Sequence, residues 1–75
     1  AVLTLDQALV RLERMLGIQL DWMRLEDCLP DTPDPAYRRS ALASSFVASL
    51  ELARLGKVEL AQDDHFLPLM LKALR

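Results

Sequence analysis

The chain has 75 residues, 52% of them hydrophobic but only 5% aromatic, and a net charge of −2 from nine Lys and Arg against eleven Asp and Glu. This length allows one domain, residues 1–75, with a core built mainly from Leu, Ala and Val. The balance of charge lacks the basic excess of a dedicated nucleic-acid binder, the lone Cys28 excludes an internal disulfide, and no stretch approaches the ~20 apolar residues of a membrane span.

No basic segment opens the chain, so a signal peptide is not expected. The sequence starts at Ala1 in the middle of a pattern and reads as a piece of a longer protein. Thr4-Leu5-Asp6-Gln7 then has the form of a capping box, with Thr4 as N-cap and Gln7 at the third helical position. Leu5, Ala8, Leu9, Leu12, Met15 and Leu16 recur at three- and four-residue steps, which predicts one apolar face of a first helix. Gly17 falls where a left-handed helix cap is wanted. Ile18-Gln19-Leu20 alternates and predicts a very short strand.

Asp21 is placed to cap a second helix from about Trp22 to Leu29, with Trp22, Leu25, Cys28 and Leu29 on one face. Pro30, Pro33 and Pro35, with polar residues between them, predict a rigid loop. Asp34-Pro35 then forms a cap and first-position pair for a third helix that runs from about Ala36 to Leu55 and stops at Gly56. Val58 to Gln62 alternates like a strand. Asp63-Asp64-His65 reads as a turn, and Phe66 to Leu71 as a returning strand, with Pro68 confining it to a sheet edge. A short C-terminal helix is the alternative for that last segment. The predicted fold class is α+β, mostly helical: a winged helix of three helices and a C-terminal β-hairpin wing.

A winged helix that reads DNA carries Arg, Lys, Asn or Gln on the outer face of its third helix. Here the middle of that helix, Ala41 to Leu52, offers no base-reading side chain; Arg38, Arg39 and Arg54 lie only at its ends. The apolar residues instead form two stripes. One contains Leu42, Phe46, Leu50 and Ala53, flanked by Ala43 and Val47. The other contains Ala41, Ala48, Leu52 and Leu55, beside Ser45. A surface helix needs one apolar stripe, so the second is either buried under the hairpin or left for a partner. Bulk favours Phe46 and Leu50 as core. The position of Leu55 next to the capping Gly56 favours the Leu52 stripe as core and Phe46 as surface.

The stretch from Arg39 to Gln62 resembles the C-terminal domain of bacterial segregation and condensation protein A, the kleisin subunit of the SMC condensin complex. The resemblance lies in Phe46 within an Ala/Leu-rich helix, then Leu50-Glu51-Leu52, Leu55-Gly56, and Val58-Glu59-Leu60-Ala61-Gln62. After the wing the family shows an aromatic, a small residue, Asp and Ile. This chain keeps Phe66 but continues Leu67-Pro68-Leu69, which leaves the register and length of the last strand open.

The resemblance implies a non-catalytic domain, cut from a longer kleisin chain, that docks on the ATPase head of an SMC subunit. It implies an interface at Leu42, Phe46, Val47, Leu50 and Ala53, with the wing strands as a second contact through edge-strand pairing. It also implies a cytoplasmic complex at the nucleoid, in which the parent chain binds ScpB and meets DNA only through the complex. Two other functions fit the residues: a winged-helix DNA module contacting phosphates through Arg38, Arg39, Arg54 and Lys57, and a homodimerisation domain using the same apolar stripe.

Nothing in the sequence points to catalysis, a cofactor or a metal. His65 and Cys28 are too few for a zinc site. Asp63-Asp64 lacks a third ligand at calcium-loop spacing, so a polar wing tip is expected. Ser44, Ser45 and Ser49 have no base at a readable spacing and suit close helix packing. Cys28 is expected to be a buried small hydrophobe, and the two glycines form no phosphate loop.

Overall fold

In the computed structural model, which describes residues 2–64 and 68–74, helix α1 spans Leu5–Ile18 and strand β1 spans Met23–Arg24. A 3-10 turn follows over Leu25–Cys28, then helix α2 over Pro35–Arg54, strand β2 over Val58–Ala61 and strand β3 over Met70–Ala73. The chain is thus α+β and mostly helical, with one antiparallel sheet in the order β1-β3-β2.

The capping box at the start of α1 is formed. The Gln7 amide donates to Thr4 Oγ1 at 3.1 Å, and the Thr4 amide donates to Gln7 Oε1 at 3.0 Å. Ala8, Leu12 and Leu16 follow at four-residue steps and are buried, with Leu9 and Met15 packed beside them. The end of α1 differs from expectation. Gly17 is helical without a left-handed conformation, and Gln19 closes the helix in extended backbone, its amide donating to the Met15 carbonyl at 3.0 Å. Ile18 and Leu20 make no strand and are exposed.

The second predicted helix is replaced by β1 and the 3-10 turn, so the described residues form two α-helices rather than three. The reason lies in its two ends. Met23 and Arg24 are drawn into extended pairing opposite Leu71 and Met70, and the ladder continues with the Leu25 amide donating to Leu69 at 2.9 Å. Pro30 disfavours helical backbone at Leu29. One tight turn fits between them, and its period of three residues places Leu25 and Cys28 together in the core.

Helix α2 starts at the expected signal. Asp34 Oδ1 accepts from the Ala36 amide at 3.0 Å, and Pro35 takes the first helical position. The helix buries Ala41, Ser45, Ala48, Ser49 and Leu52. These are mostly small side chains, so α1 approaches α2 closely and forms the main helix–helix contact. Ser44 Oγ ties the incoming chain to α2 by donating to the Leu3 carbonyl at 2.7 Å.

A Schellman motif ends the helix. The Lys57 amide donates to Leu52 at 2.9 Å and the Gly56 amide to Ala53 at 3.0 Å, with Gly56 at φ 75°. That φ suits glycine, since a Cβ there is strained whatever the free space around it.

The last strand is present as a strand, but it begins later than the sequence suggests. It occupies Met70–Ala73, and Pro68 lies ahead of it rather than within it. The strand is therefore free to take the central place in the sheet rather than an edge. Val58, Leu60, Leu71 and Met23 share the inner face; Glu59 pairs with Lys72 on the outer face, where Lys72 Nζ lies 5.8 Å from the Trp22 ring centroid. The readings made for His65 and Phe66 fall outside the described residues.

Candidate functional site: the outer face of α2

Small residues on the inner face of α2 have a consequence for the outer one. Its bulky side chains are not used by the core. Leu42, Phe46, Val47 and Leu50 are 45%, 46%, 49% and 46% exposed, and they share one side of the helix. Between the two orientations open from sequence, the structure takes the one with Leu52 inward, at 1% exposure, and Phe46 outward. Leu55 is not part of the core, however. It belongs to the turn that leads into Gly56 and is half exposed. Ala53, the remaining residue of the predicted interface, is half buried and packs against the core.

The outer face borders a groove of about 410 Å³. One wall is α2, through Leu42, Ala43 and Phe46. The other comes from the 3-10 turn and the approach to β3, through Leu25, Pro68 and Leu69, with Arg39, Glu26 and Gln62 at its margins. Sequence periodicity pointed to the helical wall. It did not point to Leu25, Pro68 or Leu69, because their meeting with α2 depends on the sheet register. The only signal for them was the Leu-Pro-Leu run where the resembling family has other residues. A second hollow of about 480 Å³ lies across the wing, where Trp22, Ala61, Pro68 and Met70 line the outer face of the sheet.

The cations named for a phosphate-binding reading are not gathered on this face. Arg54 is paired with Glu51 one turn earlier, and that hydrogen bond holds the Glu51 carboxyl below its ordinary range. Lys57 Nζ lies 3.4 Å from Glu13 on α1. Arg38 and Arg39 remain at the N-terminal end of α2. Among the described residues no group of three or more His, Cys, Asp or Glu is placed to hold a metal ion. Cys28 is buried in the core. Removal from water, and secondarily the charge of Asp27, push its thiol up to about 11, against the opposing effect of Arg11. No described helix is long and apolar enough to cross a membrane.

Two helices packed at the base of a short antiparallel sheet, with the second helix presenting a free outer face beside a wing, define a winged-helix domain. No family model matches the sequence, and no curated protein matches it. Among solved structures, the chain is similar to the C-winged helix domain of ScpA in the crystal structure of the SmcHead bound to that domain. The TM-score is 0.64 and the identity 18%, over 93% of each chain. The chain thus resembles the ScpA C-winged helix domain in fold along nearly its whole length.

Proposed function

We propose that this chain is a non-catalytic docking domain that grips the ATPase head of an SMC protein, as the C-terminal domain of a kleisin-like subunit. The observation that carries the reading is the outward apolar face of α2, Leu42, Phe46, Val47 and Leu50, on a helix whose core side is already filled by other residues. Full burial of a Leu or Phe side chain is worth about 1.5–3 kcal/mol. Each of these four is about half exposed, so roughly half of that gain per side chain is still open to a partner. The solved neighbour of the same fold is bound to an SMC head, which supplies the partner class. Association of the parent chain with ScpB, and with DNA at the nucleoid through the complex, belongs to the same proposal.

The test is binding of this domain to an isolated SMC ATPase head, followed by titration calorimetry. Phe46→Arg and Leu50→Arg are expected to abolish binding while leaving the circular dichroism spectrum and melting curve near those of the parent. Unaltered binding by both variants sinks the assignment. The same face is also open to a second copy of the chain. Sedimentation of the domain alone over a range of concentrations distinguishes that reading, since a monomer at all concentrations leaves the face free for another protein.

A further inference from the structure

We propose that the segment seated in the α2 groove carries a carboxylate, which Arg39 and Arg38 bind at the N-terminal end of the helix while its apolar side chains cover Leu42 and Phe46. This rests on the docking reading above and adds the chemistry of the occupant. Most basic side chains of the domain are already committed. Arg11 donates to main-chain carbonyls, Arg24 pairs with Glu26 and Asp27, Arg54 with Glu51, Lys57 with Glu13, and Lys72 stands over Trp22.

Among the described residues, the side chains of Arg14, Arg38 and Arg39 have no such partner. Arg14 lines a separate hollow with Asp6 and Val10. Arg38 and Arg39 are adjacent, and Arg39 with Leu42 belongs both to the main groove and to a neighbouring hollow of about 280 Å³. The apolar groove therefore continues directly into a pair of unneutralised guanidinium groups, in a chain whose net charge is −2.

The placement of the two arginines sharpens the point. They occupy the fourth and fifth positions of α2, counted from Pro35, near the positive end of the helix dipole, and no acidic residue lies in the first turn. The Asp34 carboxylate already caps that end through the Ala36 amide, so an arriving carboxylate is met by the two guanidinium groups. Glu26 lines both hollows and shares Arg24 with Asp27, so one acidic charge faces the two arginines and leaves them in excess.

A nucleic-acid phosphate backbone fits less well. Beyond Arg39 the face continues as Leu42, Ala43 and Phe46, with no further uncommitted cation among the described residues to track successive phosphates. A single acid with apolar neighbours matches both halves of the surface, and an Arg fork holds a carboxylate in two parallel hydrogen bonds.

The experiment measures the affinity of the domain for an isolated SMC ATPase head at low and high salt. It uses the parent, Arg38→Glu/Arg39→Glu, Phe46→Arg and a control, Arg14→Glu. All three arginines are on the surface, so the fold is retained. The double variant is expected to lose about tenfold or more in affinity at low salt, with a smaller loss at high salt and little change for Arg14→Glu. Parent-like binding by the double variant, with Phe46→Arg inactive, overturns the carboxylate while the docking face stands. An equal loss with Arg14→Glu also overturns it, because net charge alone is then sufficient. No binding by the parent removes the docking reading and this one with it. Retention of duplex DNA by the parent but not by the double variant, with head binding unchanged, replaces the carboxylate with phosphate.

Discussion

The Arg11 guanidinium on α1 donates from Nε to the main-chain carbonyl of Cys28 at 2.7 Å and from Nη2 to that of Leu29 at 3.3 Å. These carbonyls close the 3-10 turn, where the chain has no further helix to receive them. One side chain thus joins α1 to the segment that forms the far wall of the groove. Hydrogen bonds from a charged donor are worth about 1.5–3 kcal/mol. Arg11→Met, which keeps the aliphatic stem, is expected to lower stability in urea by about 2 kcal/mol. A loss below a few tenths of that size means water replaces the guanidinium at both carbonyls.

Ser45 offers the opposite case. Its Oγ is buried on the inner face of α2 with no hydrogen-bond partner among the described residues. An unsatisfied buried hydroxyl costs about 1–3 kcal/mol, and alanine is the better helix former. Ser45→Ala is therefore expected to raise stability by roughly 1 kcal/mol, read as a higher urea midpoint. Ser49→Ala does not share this expectation, because Ser49 Oγ donates to the Phe46 carbonyl at 2.7 Å.

The two faces of α2 predict a contrast in stability. Leu52 is 1% exposed and Phe46 is 46% exposed. Leu52→Ala is expected to cost about 2–5 kcal/mol, enough to unfold much of a domain this small. Phe46→Ala, despite removing the larger side chain, is expected to cost well under half of that. Equal losses in thermal unfolding would place Phe46 in the core and remove the docking face.

Cys28 sets an alkaline limit. Its thiol has an ordinary value of 9.0 and is pushed up to about 11 in the folded state. The neutral thiol is the form that the core holds, so the associated stability is fully present below about pH 9. As pH rises from there towards 11, the unfolded chain loses its proton first, and stability falls by roughly 1.4 kcal/mol per pH unit. Cys28→Ala is expected to flatten this limb in urea titrations at successive pH values. In the parent, the thiol is expected to react with a disulfide reagent at neutral pH only as fast as the domain unfolds.

What was legible in the sequence followed from local chemistry. Thr4 with Gln7, Asp34 with Pro35, and Gly56 each act through bonds to residues a few positions away, so α1 and α2 could be read directly. The segment after Asp21 could not. Its apolar spacing fits a helix, and the pairing of Met23 with Leu71, from the opposite end of the chain, together with Pro30 leaves room for only a 3-10 turn. The candidate site divides in the same way. Phe46 and Leu50 face outward as the cap argument suggested, although Leu55, which carried that argument, is itself exposed. Leu25, Pro68 and Leu69 come to the groove through the register of β3, which no local pattern encodes.

The central position of β3 bears on the order of events during synthesis. β1 and β2 do not pair with one another; each hydrogen-bonds only to β3. A chain that stops at Ala61 lacks the strand to which both β1 and β2 pair, and it lacks Pro68 and Leu69 of the groove wall. Partner recognition through the whole groove therefore waits for residues 68 to 73 to leave the ribosome. Folding slows as more of a domain's contacts join distant segments, as β1 and β3 do here. A product that ends at Ala61 therefore cannot form that surface complete.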